Sequence, residues 1–244
     1  MESTKKIVKQ IIAETKHLFG RPWNIISKKP LKNFVFNRYS QNGEDGIVEE
    51  IFRKLDINSG LMVEFGAWDG IYLSNTYNIL KNNQNFKAVY IEGDQERYND
   101  LVLLSKKLND RIIPVCAFVE SQGENSLDNI LEKAHTPKEF ELLSIDVDGE
   151  DYHIWNNFKN FNPKVVIIEI NSSLPAENKQ THDLSSNKHG SSFEATLELG
   201  NKKGYTLVHH KGNMFFVRND LLKKITGKEN LSKEEQSVMY SRKS

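Results

Sequence analysis

Apolar and polar positions along this chain alternate between two periods. From residue 43, GEDGIVEEIFRKL places its apolar residues at helical spacing, and LMVEF (61–65) follows as a compact run of strand length. KAVYIE (87–92), RIIPVCAFV (111–119), FELLSID (140–146) and KVVIIEIN (164–171) repeat the β-branched strand signature. Helical stretches separate them: QERYNDLVLLSKKL, SLDNILEKA and DYHIWNNF. This alternation predicts an α/β domain with an open, mostly parallel sheet. SSFEATLELGNKKG then predicts a further helix, and YTLVHH with NMFFVRN a closing hairpin.

The ends differ from this middle. Ile7, Ile11, Ile12 and Leu18 share one face of a helix over residues 4–19, with lysines opposite, and a connector punctuated by Pro22 and Pro30 follows. A basic amphipathic helix can lie on a membrane surface, and more often packs on its own domain or on a sister subunit, which leaves room for a homodimer without requiring one. Residues 220–244 are mostly polar and read as a peripheral tail. The organisation expected is thus 1–35 helix and connector, 36–218 main domain, and 219–244 tail. One segment breaks the rhythm: SSLPAENKQTHDLSSNKHG (172–190) is polar and long, and it directly follows the carboxyl end of a strand, where open α/β sheets bind ligands.

Composition narrows the function classes. With 33 basic and 33 acidic residues the formal net charge is zero, so nothing draws the chain to nucleic acid or an anionic membrane. Cys116 is the only cysteine, which excludes an intrachain disulfide and a cysteine zinc site. There is no apolar run of about 18 residues and no leader-like segment, so a cytoplasmic protein is expected. Its Lys, Asn and Ile content fits an AT-rich bacterial genome.

The first strand ends in VEFGAWDG, residues 63–70. Gly66 and Gly70 allow a ligand close to the backbone, as in dinucleotide-binding turns, but Glu64 and Asp69 put negative charge on both sides. A diphosphate is repelled there, whereas a ligand with an ammonium and a sulfonium is attracted. This favours S-adenosylmethionine over NAD and disfavours an NAD-dependent oxidoreductase. The second strand ends YIEGD, which sets Glu92 at the spacing of a ribose-binding acid. Ala117 and Phe118, in CAFVE after the third strand, can form the apolar slot for adenine.

YSQNGEDGIVEEIF (39–52), VEFGAWDGIYLSNT (63–76), VYIEGD (89–94), LLSIDVDGEDYHIW (142–155) and VVIIEIN (165–171), in this order, resemble FkbM-like methyltransferases, as does SSFEATLELGNKKGYTLV with the following FFV. The resemblance spans roughly residues 36–218. It implies the Rossmann-like class I S-adenosylmethionine-dependent methyltransferase fold, a seven-stranded sheet with an antiparallel last strand and helices on both faces. It also implies that Glu64, Gly66 and Ser74 face the methionine part of the cofactor and Glu92 its ribose, with Gln41 and Glu44 contributing from SQNGED. The family commonly writes D-V-E-G in the fourth-strand motif, where this chain has Asp148.

Asp146, Asp148, Glu150 and Asp151 crowd into six positions. An EF-hand is excluded, because counting from Asp146 the glycine falls at position four and position twelve is Asn157. At the ends of the fourth and fifth strands, Asp146, Asp148, Glu169 and Asn171 are candidate ligands for magnesium or manganese, as in other class I O-methyltransferases. Without a metal, Asp146 orients the acceptor or lies near the methionine ammonium. Glu150 and Asp151 serve as favourable charges at a helix start.

A sugar hydroxyl needs a base or a metal to lose its proton, and Asp146, Glu169 and His153 are the candidate bases, with His182 and His189 as loop alternatives. Trp68, Tyr72, Tyr152 and Trp155 can wall a sugar site, although Trp155 also fits an ordinary core position. FkbM-like enzymes methylate hydroxyls, often on sugars or polyketides. The acceptor expected is a sugar or nucleotide sugar in capsule or other surface-polysaccharide assembly, with Lys179, Lys188 and His189 as cations for a diphosphate. A small phosphate-containing metabolite, a lipid-linked sugar, or cofactor binding without turnover are the alternatives.

Overall fold

The computed structural model describes residues 29–147, 149–186 and 188–240. The expected helix over 4–19, and the homodimer inferred from it, lie outside the described residues.

Seven strands form one sheet: β1 (Gly60–Phe65), β2 (Phe86–Glu92), β3 (Ile112–Cys116), β4 (Leu142–Ile145), β5 (Val165–Glu169), β6 (Tyr205–Lys211) and β7 (Asn213–Arg218). Their order is β3-β2-β1-β4-β5-β7-β6, parallel throughout except β7, which runs antiparallel to both β5 and β6. The antiparallel last strand and the β6–β7 hairpin agree with the sequence reading. Because the strand order reverses at β1, the crevice beyond the carboxyl ends of β1 and β4 is the fold's natural ligand site.

Period-two alternation divides the strands between two apolar layers. Val63, Phe65, Val89, Ile91, Leu143, Ile145, Val166 and Ile168 pack against α4 (Leu127–Lys133), α5 (Asp151–Asn157) and α6 (Phe193–Lys202). Met62, Ala88, Tyr90, Leu142, Val165 and Ile167 face the opposite side. There they meet α1 (Glu44–Leu55), α2 (Tyr77–Asn82) and α3 (Gln95–Lys107). In α1, Ile47, Val48, Ile51, Phe52 and Leu55 recur at helical spacing and are all buried. Glu44 and Asp45 in its first turn and Arg53 and Lys54 in its last suit the helix dipole. Helix α2 escaped the sequence reading because its six residues make fewer than two turns, too few for a repeating pattern.

Residues 219–240 are not the peripheral tail expected. Leu222 and Ile225 of α7 (Leu222–Thr226) join the core. Beyond α8 (Lys233–Ser237), the Tyr240 hydroxyl donates to the Ser172 and Leu174 carbonyls at 3.2 and 2.6 Å. Gln236 Oε1 accepts the Leu207 amide at 3.0 Å, which covers part of the open edge of β6. The segment reads as polar because a few spaced apolar anchors are enough to hold it.

Candidate active site

The glycine turn after β1 is built by hydrogen bonds within the sheet edge. Gly66 has φ +69°, and a Cβ there would run into the Asp146 carbonyl oxygen, so only glycine lets β1 leave the sheet this close to β4. The chain then passes through Trp68 (φ 50°) and Leu73 (φ 58°), both in the left-handed region that bulky residues avoid. Asp69 holds the bend by accepting the Ile71 and Tyr72 amides at 2.9 and 2.7 Å.

Two carboxylates fix this loop from opposite sides. Glu92, at the end of β2, accepts the Trp68 amide on one oxygen and the Asp94 amide on the other, each at 2.8 Å. A carboxylate offers about four acceptor positions, so two lone pairs remain for vicinal hydroxyls. Glu64, in β1, accepts the Ser74 hydroxyl at 2.7 Å, the Thr76 hydroxyl at 2.5 Å and the Asn75 amide at 2.8 Å. Thr76 continues to the Tyr90 hydroxyl at 2.8 Å, and Asn75 Nδ2 donates to Ser144 Oγ at 3.0 Å. Burial pushes the Glu64 carboxyl above the ordinary glutamate range, against the lowering effect of these donors.

These groups open onto one cavity of about 740 Å³, within the size range of small-molecule sites. It lies at the strand-order reversal. Glu64, Gly66, Ser74, Glu92, Ala117, Phe118, Asp146 and Glu169 all line it, as does Gln41 from the segment before α1. Phe118 packs its ring over Gly93, where a Cβ would collide with the ring atoms. Trp68 and Tyr72 stand at the wall, 47% and 65% exposed, and the Arg97 guanidinium lies 4.3 Å from the Trp68 ring centroid.

Other sequence candidates are placed elsewhere. Glu44 does not line the cavity; it is buried, accepting the Asn42 amide at 2.6 Å and Asn213 Nδ2 at 3.3 Å. His153 is not placed as a base: its Nε2 meets the His182 carbonyl oxygen at 2.8 Å, away from the cavity lining. Trp155 is wholly buried against Phe216 and Tyr205, a core residue, and Tyr152 is not a wall residue. Lys179 is paired with Glu198 at 2.7 Å rather than turned to an anion. The helix-start role belongs to Asp151, which accepts the Val147 and Gly149 amides at 2.9 and 2.8 Å. Glu150, by contrast, makes no capping bond and lines the cavity.

The expected metal set does not assemble among the described residues. Asn171 Oδ1 accepts the Ser173 amide and hydroxyl, and its Nδ2 donates to the His189 carbonyl. Asp148 lies outside the described residues. No group of three His, Cys, Asp or Glu side chains among those described is arranged to hold a metal ion. Asp146 and Glu169 share the cavity wall.

The long loop after β5 is more ordered than its composition implies. Asn171 N donates to the Ser191 carbonyl at 2.9 Å and Ser192 N to the Gln180 carbonyl at 2.9 Å, which ties both ends together. Asp183 accepts from Ser185 and Ser186, and these bonds hold its carboxyl down at about 2. His182, a candidate base from the loop, is buried despite its polar neighbours in sequence.

A parallel sheet reversing at β1, an antiparallel β7 and an acid-lined cavity at the reversal define a Rossmann-like methyltransferase. The family model described as the methyltransferase FkbM domain matches residues 48–207. The chain belongs to this family of S-adenosylmethionine-dependent methyltransferases. Among solved structures, it is similar to a Staphylococcus aureus protein assigned provisionally as a caffeoyl-CoA O-methyltransferase. That match has a TM-score of 0.50 at 10% identity, over 86% of this chain and 98% of the other. A SAM-dependent methyltransferase from Aquifex aeolicus matches at TM-score 0.42 and 10% identity, over 78% and 93% of the two chains. The tRNA m1G37 methyltransferase of M. jannaschii matches at 0.39 and 14%, over 70% of this chain and 47% of its own length. No curated protein sequence matches. Among the described residues no helix is long and apolar enough to cross a membrane.

Proposed function

We propose that the protein is an S-adenosylmethionine-dependent O-methyltransferase acting on a sugar hydroxyl, in bacterial capsule or other surface-polysaccharide assembly. The observation that carries this is the single cavity shared by Glu92, the glycine turn, and the ends of β4 and β5. Glu92, held by two amides, accepts the ribose hydroxyls; Phe118 over Gly93 supports the adenine; Glu64 and Ser74 face the methionine part. When bound, the cofactor supplies an electrophilic methyl group. The chain contributes position and charge: cavity carboxylates favour the cation, while Trp68 and Tyr72 present exposed faces for a sugar ring.

Calorimetric titration with S-adenosylhomocysteine tests the cofactor site. Mass spectrometry of deuteriomethyl transfer from S-adenosylmethionine to free and nucleotide-activated sugars tests the reaction. Absence of binding removes the cofactor assignment, and binding without transfer removes the acceptor assignment.

A further inference from the structure

We propose that Glu150 is the general base that takes the acceptor proton, with His182 as its positioning residue; this rests on the O-methyltransferase reading above. Four features converge on the pair. Glu150 stands at the head of α5 yet makes no capping bond, since the neighbouring Asp151 closes that turn. Its carboxylate lines the cavity beside Asp146 and Glu169, and its side chain is 47% exposed while that of His182 is 6% exposed. The His182 ring is oriented from behind: Gly190 N donates to Nδ1 at 3.0 Å, which leaves the proton on Nε2. That Nε2 lies 3.9 Å from Glu150 Oε1, a spacing that closes to a hydrogen bond with a small side-chain rotation.

The fourth feature is Gly149, whose φ is +149° and whose missing side chain makes room for the imidazole. A Cβ there would stand 2.5 Å from His182 Cε1. The His182 carbonyl is also pinned, accepting from His153 Nε2 at 2.8 Å when the Nε2 tautomer is present. A base beside the acceptor site, oriented by a third group that is itself fixed, is the arrangement that nucleophile activation requires. In the step, the acceptor oxygen forms a bond to the methyl carbon as the carbon–sulfur bond breaks. The bonding pair stays on sulfur, and the hydroxyl proton passes to a Glu150 oxygen. The products are the methyl ether, S-adenosylhomocysteine and a protonated Glu150 that returns its proton to water.

The test uses full-length protein and the sugar that the wild type methylates best from a panel of hexoses, 6-deoxyhexoses, hexosamines and their nucleotide-activated forms. Glu150→Gln is expected to lower kcat at least about 100-fold. By calorimetry its S-adenosylhomocysteine affinity stays within about threefold of wild type, as for a group that acts on the acceptor. Glu150→Asp, with the charge drawn back, gives an intermediate kcat. His182→Asn keeps an acceptor for the Gly190 amide but removes the donor toward Glu150, and lowers kcat about 10-fold with KM unchanged. The double variant is no slower than Glu150→Gln within about twofold, a non-additivity that a purely structural His182 does not produce. Glu150→Gln retaining more than about a third of wild-type kcat overturns the base assignment. Loss of S-adenosylhomocysteine affinity in Glu150→Gln also overturns it, by moving Glu150 to the cofactor. A wild type that binds S-adenosylhomocysteine but methylates no sugar removes the sugar reading and this proposal with it.

Discussion

The backbone amide of Trp68 donates to the Glu92 carboxylate at 2.8 Å across 24 residues of sequence, joining the glycine turn of β1 to the end of β2. The bond has two effects. It holds a bulky residue in the left-handed region, and it fixes a carboxylate that lines the cavity.

Replacing Glu92 by alanine is expected to lower affinity for S-adenosylhomocysteine by about 10- to 100-fold, the size of lost hydrogen bonds to a charged acceptor. Calorimetry measures it, with circular dichroism to verify the fold. Affinity unchanged in Glu92→Ala would place the ribose elsewhere.

Glu64 makes stability depend on pH. Burial raises its folded pKa above the ordinary 4.5, so its contribution is full below pH 4.5 and is lost as pH rises through the folded value. Urea melts of Glu64→Gln and wild type should therefore diverge in the variant's favour as pH rises. An equal difference at every pH would contradict a raised carboxyl. A bound ammonium favours the ionised form, so S-adenosylmethionine affinity is expected to rise over the same window and to flatten in the variant.

His209 titrates in the opposite sense. Burial depresses its imidazole from 6.5 to about 4, and among the described residues its Nε2 has no hydrogen-bond partner. The unfolded chain takes up a proton below pH 6.5 that the folded one refuses until about 4, so stability falls as pH drops across that interval, by about 3 kcal/mol. His209→Phe, packed against Phe215 as the imidazole is, should be less acid-sensitive in thermal melts from pH 7 to 4. Parallel acid profiles for the two proteins would refute this.

Gln236 ties residues 219–240 to the sheet. Gln236→Ala leaves the Leu207 amide without its acceptor and is expected to cost about 1–3 kcal/mol in urea unfolding. Removal of residues 219–244 should unfold the protein, because Leu222 and Ile225 leave the core with it. A cooperative melt at the wild-type midpoint in the truncated chain would show the segment to be dispensable.

What the sequence determined by itself is local or periodic. Alternating apolar runs set the strands, and Glu64, Gly66 and Glu92 were legible as neighbours at one cavity because a glycine turn and an acid at the end of the next strand keep a fixed spacing within one β-α-β unit. The tertiary structure decided everything that depends on loops folding back. Asn171 reads as a metal ligand beside Glu169 until Ser173 occupies its oxygen, and Glu44 reads as a cavity residue until Asn213, 169 positions away, draws it into the interior. Glu150 and Asp151 are indistinguishable as charges before a helix, yet the turn geometry gives the capping bonds to one and the cavity to the other. His182 is a polar-loop histidine in sequence and a buried imidazole in the fold, because the space for it is left by Gly149, 33 residues earlier in the chain. Periodicity records which face of an element is buried. It carries no record of which distant partner satisfies a polar side chain, and at this site that partner decides what each carboxylate does.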